Sequence, residues 1–100
     1  MISGGTNNNS VEQDLSITIM EEAIDLKRRK SKDYQGSQFS QADYFPYGHT
    51  SYLHMLHTKM LRIRSVAEQE STNFESLEDS LIDMINYAAM YAAAARKGEV

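Results

Sequence analysis

A chain of 100 residues with a formal charge of −4, 41% hydrophobic residues and no cysteine suits one small domain, and it excludes disulfide frameworks and thiolate metal sites. No apolar run approaches the roughly 18 residues of a membrane span and no signal-peptide core follows Met1, so a cytoplasmic protein without a membrane partner is expected. The acidic balance argues against general nucleic-acid binding, which draws its affinity from neutralising phosphates.

Residues 1–9 are Gly- and Asn-rich with almost nothing to bury, which predicts a disordered N-terminal arm ahead of a single helical domain over residues 10–100. Ser10 and Gln13 have the spacing of a capping box. From there to about Lys32 the pattern is helical. Leu15, Ile19, Ala23 and Leu26 lie near one line, with Ile17, Met20 and Ile24 beside it. Basic residues (Lys27, Arg28, Arg29, Lys30 and Lys32) collect towards the end, where the helix dipole favours them.

Asp33 to Thr50 holds Gly36, Pro46 and Gly48 and shows no period, so it reads as a long loop of about 17 residues. Five aromatics crowd into it: Tyr34, Phe39, Tyr44, Phe45 and Tyr47. They can pin the loop to a bundle, or offer a stacking surface to a planar ligand such as a base. The two roles are compatible.

A second helix is expected from Ser51 to about Glu68, with Leu53, Leu56, Met60, Ile63 and Ala67 spaced as a bundle seam. Thr72 and Glu75 then match another capping box, and a third helix runs to about Ala95, stopped by Arg96, Lys97 and Gly98. Small residues at 88, 89 and 92–95 would let another helix come close, so this end is a candidate oligomer contact. A chain this short buries only about two-thirds of its unfolded surface, which also favours association. The expected architecture is all-α: a three-helix bundle protomer with a long aromatic loop between helices one and two, in a homo-oligomer.

The third helix carries the strongest chemical signal. At about 100° per residue, Glu75, Asp79, Asp83 and Asn86 share roughly one quadrant, while Leu77, Leu81, Met84, Ile85 and Ala88 form the apolar side. Carboxylates stacked one turn apart repel, by about a few tenths of a kcal/mol per pair, so cations, basic side chains or water should compensate. A few carboxylates together with phosphate oxygens hold Mg²⁺, and Glu21, Glu22 and Asp25 on the first helix could complete such a set. Alternatively those acids pair along their own helix with Arg28 and Arg29. Lys59 and Arg62, with the Lys30-Ser-Lys32-Asp33-Tyr34 corner, are candidate holders of phosphate, or internal partners of the third helix's acids. His49, His54 and His57 lack a third ligand for a metal site, and neither a nucleophilic triad nor a Gly-rich phosphate loop occurs.

In their order, Lys30-x-Lys32-Asp33-Tyr34, Phe45-Pro-Tyr-Gly48, the run from Ser51 through Lys59 and Arg62, and Phe74 to Tyr87 resemble the nucleotide-modification-associated domain (type 1) family over roughly residues 20–95. That resemblance implies a small helical protein of phages and prophages, acting in the cytoplasm of a bacterial host. Glu21-Glu22-Ala-Ile-Asp25 and Asp79-Ser-Leu-Ile-Asp83 are more distantly similar to the EExxE and ExxD motifs of MazG-type all-α nucleoside-triphosphate pyrophosphatases. Ser80 stands where the second motif has Glu, and the helix before the stripe brings cations where acids belong.

The leading expectation is therefore binding, and possible sequestration, of a nucleotide or nucleotide-derived phosphorylated molecule, with no cofactor required. Its ligand residues would be Lys30, Lys32, Asp33, Tyr34, Lys59, Arg62, Asp79, Asp83 and Asn86. The alternative is a Mg²⁺-dependent pyrophosphohydrolase in which Glu22, Asp25, Glu75, Asp79 and Asp83 bind metal. A further alternative is a protein-binding adaptor that inhibits a host enzyme through its aromatic loop.

Overall fold

In the computed structural model, which describes residues 14–33, 38–71 and 73–100, every regular element is a helix. The order is α1 (Leu15–Asp33), α2 (Gln41–Tyr44), α3 (His49–Ala67) and α4 (Phe74–Lys97). The three long helices are those expected from periodicity, and α2 is a single turn within the segment read as loop. The arm over residues 1–9, the Ser10 and Gln13 pair, Tyr34, Gly36 and Thr72 lie outside the described residues.

Helix starts follow local hydrogen bonding, because the first turn has backbone N–H groups without intrahelical partners. Before α1, Asp14 Oδ1 accepts from the Ser16 backbone N–H at 2.9 Å and from the Ser16 hydroxyl at 2.6 Å. Those bonds, from the side chain first and the backbone second, hold the Asp14 carboxyl below its ordinary value of 3.8. The backbone of Ser40 donates to Asp43 Oδ2 at 2.8 Å, which fixes the single turn of α2. At α4 the cap is Asn73, whose Oδ1 accepts from the Ser76 N–H at 3.0 Å. This is one residue later than the Thr72 start expected from sequence. Gly98 closes α4 in the left-handed region at φ 74, the stop that its position suggested.

Gly48, the N-cap of α3, has φ 57 and lies against the Val100 backbone. A Cβ there would stand 2.8 Å from the Val100 carbonyl carbon, so both conformation and space demand glycine.

The long helices share α4: α3 packs along one flank of it and α1 along another. Phe45, Tyr52 and Ala94 form the buried cluster, with Met55, Tyr87, Met90 and Tyr91 packed against it. Its centre is an aromatic ladder. Phe45 stacks on Tyr52 at 4.3 Å between centroids, and Tyr52 stacks on Tyr91 at 5.0 Å. Tyr91 meets His49 edge-on and its hydroxyl lies 2.7 Å from His49 Nδ1. Each such ring pair adds about 0.5–1.5 kcal/mol beyond the area it buries.

The seam expected on α3 packs only in part: Leu56 and Ile63 are half-buried and Ala67 is exposed. Leu53 and Met60 are 56% and 55% exposed, while Tyr52 is buried and Met55 and Lys59 are half-buried. A pattern of aliphatic residues alone misplaces the seam by about one position, since Tyr52 buries a ring and still satisfies its hydroxyl. On α4, Ser80, Ile82 and Ala94 are buried and Leu81 is exposed, so its packed flanks also differ from the aliphatic line. On α1, Ala23 is buried while Ile17, Met20 and Ile24 stay about half-exposed.

Candidate functional site

Helix α4, the shared helix, also lines two hollows of the surface. Its polar residues at positions 79, 83 and 86 divide between them. Asp83 and Asn86 look into a cleft of about 580 Å³, and Asp79 into a smaller hollow of about 380 Å³.

The larger cleft is built from all four helices. One wall is cationic and comes from α1, where Lys27 and Lys30 are one turn apart with Ser31 beside them. A second part of the lining is aromatic and comes from the segment around α2: Phe39, Tyr44 and Phe45. Phe39 and Tyr44 meet edge-on with centroids 6.3 Å apart, and both are more than half exposed. Met55 of α3 and Tyr87 and Met90 of α4 add apolar lining, and Asp83 and Asn86 add polar groups. Pockets of this size and mixture are typical of small-molecule sites.

Two devices hold the aromatic wall in place. Phe45 is only 8% exposed and inserts into the ladder, so it anchors the segment. Gln41 Nε2 donates to the Tyr52 hydroxyl at 2.6 Å and to the Met90 carbonyl at 3.0 Å, tying the first residue of α2 to both α3 and α4. The aromatics of the loop thus divide their work. Phe45 pins, Phe39 and Tyr44 face the cleft, and Tyr47 is 78% exposed and lines neither hollow.

The acid stripe finds its compensating cation within the chain. Lys59 Nζ donates to Asp83 Oδ2 at 3.3 Å, with the side chains 18% and 34% exposed. The same ammonium lies 5.2 Å from the centre of the Tyr87 ring, within cation–π range. Asn86 is half-buried, and its side chain makes no hydrogen bond among the described residues.

The expected ligand residues therefore separate. Lys30, Asp83 and Asn86 line the cleft, and Lys59 supports it through Asp83 and Tyr87. Lys32 and Arg62 are exposed and line neither hollow. Asp33 ends α1 with its side chain outside the described ones, and Tyr34 lies outside the described residues altogether. Lys27, Gln41 and Met90 are cleft residues that sequence reading did not single out. Lys27 was legible as the i−3 neighbour of Lys30 on a helix. Gln41 carried no such signal, because its bonds are to residues 11 and 49 positions away.

Glu22, Asp25 and Asp79, from the metal-ligand set, line the smaller hollow together with Arg29. Among the described residues no ion pair joins Arg29 to Glu22, Asp25 or Asp79, so the pairing expected along the first helix is not formed there. Asp83 belongs to the other cleft, and Glu75 is exposed and lines neither. Among the described residues no three His, Asp or Glu side chains converge as a metal-holding group. Ser80 is buried, so the position three before Asp83 points into helix packing instead of towards either hollow.

A family model described as nucleotide modification associated domain 1 matches residues 30–93, well over half of the chain. The match takes in α2 and α3 whole, most of α4, and the α1 residues from Lys30 on. No curated protein and no solved structure gives a significant match.

Proposed function

This chain belongs to the nucleotide modification associated domain 1 family, and from that premise we propose that its α1/α4 cleft binds a nucleotide or a nucleotide-derived phosphorylated molecule. The observation that carries the reading is the pairing of unlike walls. Lys27 and Lys30 offer ammonium groups to phosphate, and Phe39 and Tyr44 offer ring faces to a base across the same cleft of about 580 Å³. Neither an apolar metabolite nor a bare anion would use both walls.

Binding of this kind rests on the chain's own side chains and asks for no metal. In a phage-encoded protein within a bacterial host, the setting the sequence resemblance implies, it would sequester the ligand. Calorimetric titration with a panel of nucleoside mono-, di- and triphosphates, with and without Mg²⁺, tests the proposal. Saturable binding with the nucleotide recovered intact supports it. Release of pyrophosphate would replace it with hydrolysis, and the absence of any binding would move the weight to a protein partner.

We also infer that a second copy of the chain covers the apolar residues its own helices leave open. Leu53, Met60 and Leu61 of α3 and Ile17, Met20 and Ile24 of α1 are each about half exposed, on two of the three long helices. Runs of this kind exceed the scattered single hydrophobics of a monomer surface. Sedimentation equilibrium of the intact chain against Leu53→Lys and Met60→Lys variants reads this directly, and a wild-type monomer at high concentration would refute it.

A further inference from the structure

The charged and polar groups of the lining say which part of a nucleotide each can hold. Lys27 and Lys30 of α1 are its cations, and among the described residues Asp83 of α4 is the one carboxylate in the lining. Asp83 is already paired with Lys59, so phosphate finds its cations in Lys27 and Lys30, which leaves the base to Asp83 and Asn86. Resting on the nucleotide reading of this cleft, we propose that it selects bases bearing an exocyclic amino group (cytosine or adenine type) over bases with a carbonyl in that place.

The reason is the supply of donors and acceptors. Ionised Asp83 can only accept hydrogen bonds, and among the described residues its one donor is Lys59, at Oδ2. Its carboxylate keeps acceptor capacity beyond that pair. An amino group satisfies it, whereas a carbonyl oxygen would set lone pair against lone pair. Asn86 follows Asp83 by three residues on the same helix face and also lines the cleft. Its amide N–H can donate to the ring nitrogen beside an exocyclic amine, which is an acceptor in cytosine and adenine but carries a proton in uracil and hypoxanthine. Lys59, which is not among the lining residues, holds the carboxylate at 3.3 Å, so the acceptor is in place before the ligand arrives.

The test is a set of matched pairs on the intact protein: cytidine against uridine triphosphate, and adenosine against inosine triphosphate. Each pair differs at the amino position and at the neighbouring ring nitrogen. In any pair that binds, the amino member should bind about ten- to a hundredfold more tightly. Asp83→Asn should shrink that ratio towards one, while Lys27→Ala should weaken both members alike and leave the ratio unchanged. Equal or inverted affinities in the wild-type protein overturn the selection and leave nucleotide binding standing. If no member of either pair binds, nucleotide binding itself is overturned and the selection with it.

Discussion

Lys59 Nζ donates to Asp83 Oδ2 at 3.3 Å while lying 5.2 Å from the centre of the Tyr87 ring, so one cation neutralises the acid of α4 and packs on the aromatic residue one turn beyond it. With side-chain exposures of 18% and 34% the pair is partly shielded, and it should contribute more than a solvent-exposed ion pair. Asp83→Ala should lower stability by about 1–2 kcal/mol in urea unfolding, since it leaves an ammonium half-buried without its acceptor. Adding Lys59→Met should recover part of that loss. A double-mutant cycle with a coupling energy near zero would show that the two charges act independently.

Gln41 should behave as a latch. Gln41→Ala removes two bonds that tie α2 to α3 and α4. It should lower stability by about 1–3 kcal/mol and speed amide exchange over residues 41–45 more than over α3. Tyr52→Phe takes away one of the two bonds and should give a smaller effect in the same segment. Uniform exchange changes throughout the chain would argue against a local latch.

The aromatics should split into structural and binding classes. Phe45→Ala should destabilise the fold by about 3–5 kcal/mol, because it empties the place of a ring that is 8% exposed and stacked on Tyr52. Tyr44→Ala, at a ring 64% exposed, should leave the melting temperature nearly unchanged. In the nucleotide reading it weakens binding by about 1–3 kcal/mol, measured by titration.

The basic residues should split likewise. Lys27→Ala and Lys30→Ala should each reduce nucleotide affinity, with a shallower dependence on salt than the wild type. Arg62→Ala, at an exposed residue that lines neither hollow, should leave affinity unchanged. A larger effect at Arg62 than at Lys27 would place the phosphate site elsewhere.

Acid should loosen the start of α1. The Asp14 carboxyl is held below 3.8 by its bonds from Ser16, so the folded state favours its ionised form. Its contribution is complete above the ordinary value and is lost as pH falls through the lowered folded value. Protection of the Ser16 and Ile17 amides, taken against the intrinsic exchange rate at each pH, should therefore fall below about pH 3.8, and Asp14→Ala should abolish that fall.

Helix type and extent were legible in the chain itself. Period, caps and the glycine stop at Gly98 are local properties, and α3 and α4 follow from them to within about two residues, whereas α1 begins at Leu15, about four residues after the start that the Ser10 spacing suggested. The single turn of α2 lies in the segment read as loop, although Ser40 and Asp43 stand at the three-residue spacing of its capping box. The one-turn spacing of the acid stripe and Asn86 likewise showed that they share one helix face, and the aromatic cluster marked a segment that lines the larger cleft.

What tertiary structure decided was partnership. Sequence spacing ranks Lys59 and Arg62 equally, yet only Lys59 lies where α3 crosses Asp83 and Tyr87. It sets Asp79 and Asp83 on one stripe, yet α1 packs on α4 so that Asp79 shares a hollow with Glu22 and Arg29 while Asp83 shares the cleft with Lys30 and Tyr44. It sees an aliphatic seam at Leu53 and Met60, yet the stacking of Phe45, Tyr52 and Tyr91 turns α3 to bury another face. Periodicity fixes which side chains share a face of one helix. Which face meets which neighbour depends on contacts between residues far apart in the chain, and no local pattern encodes them.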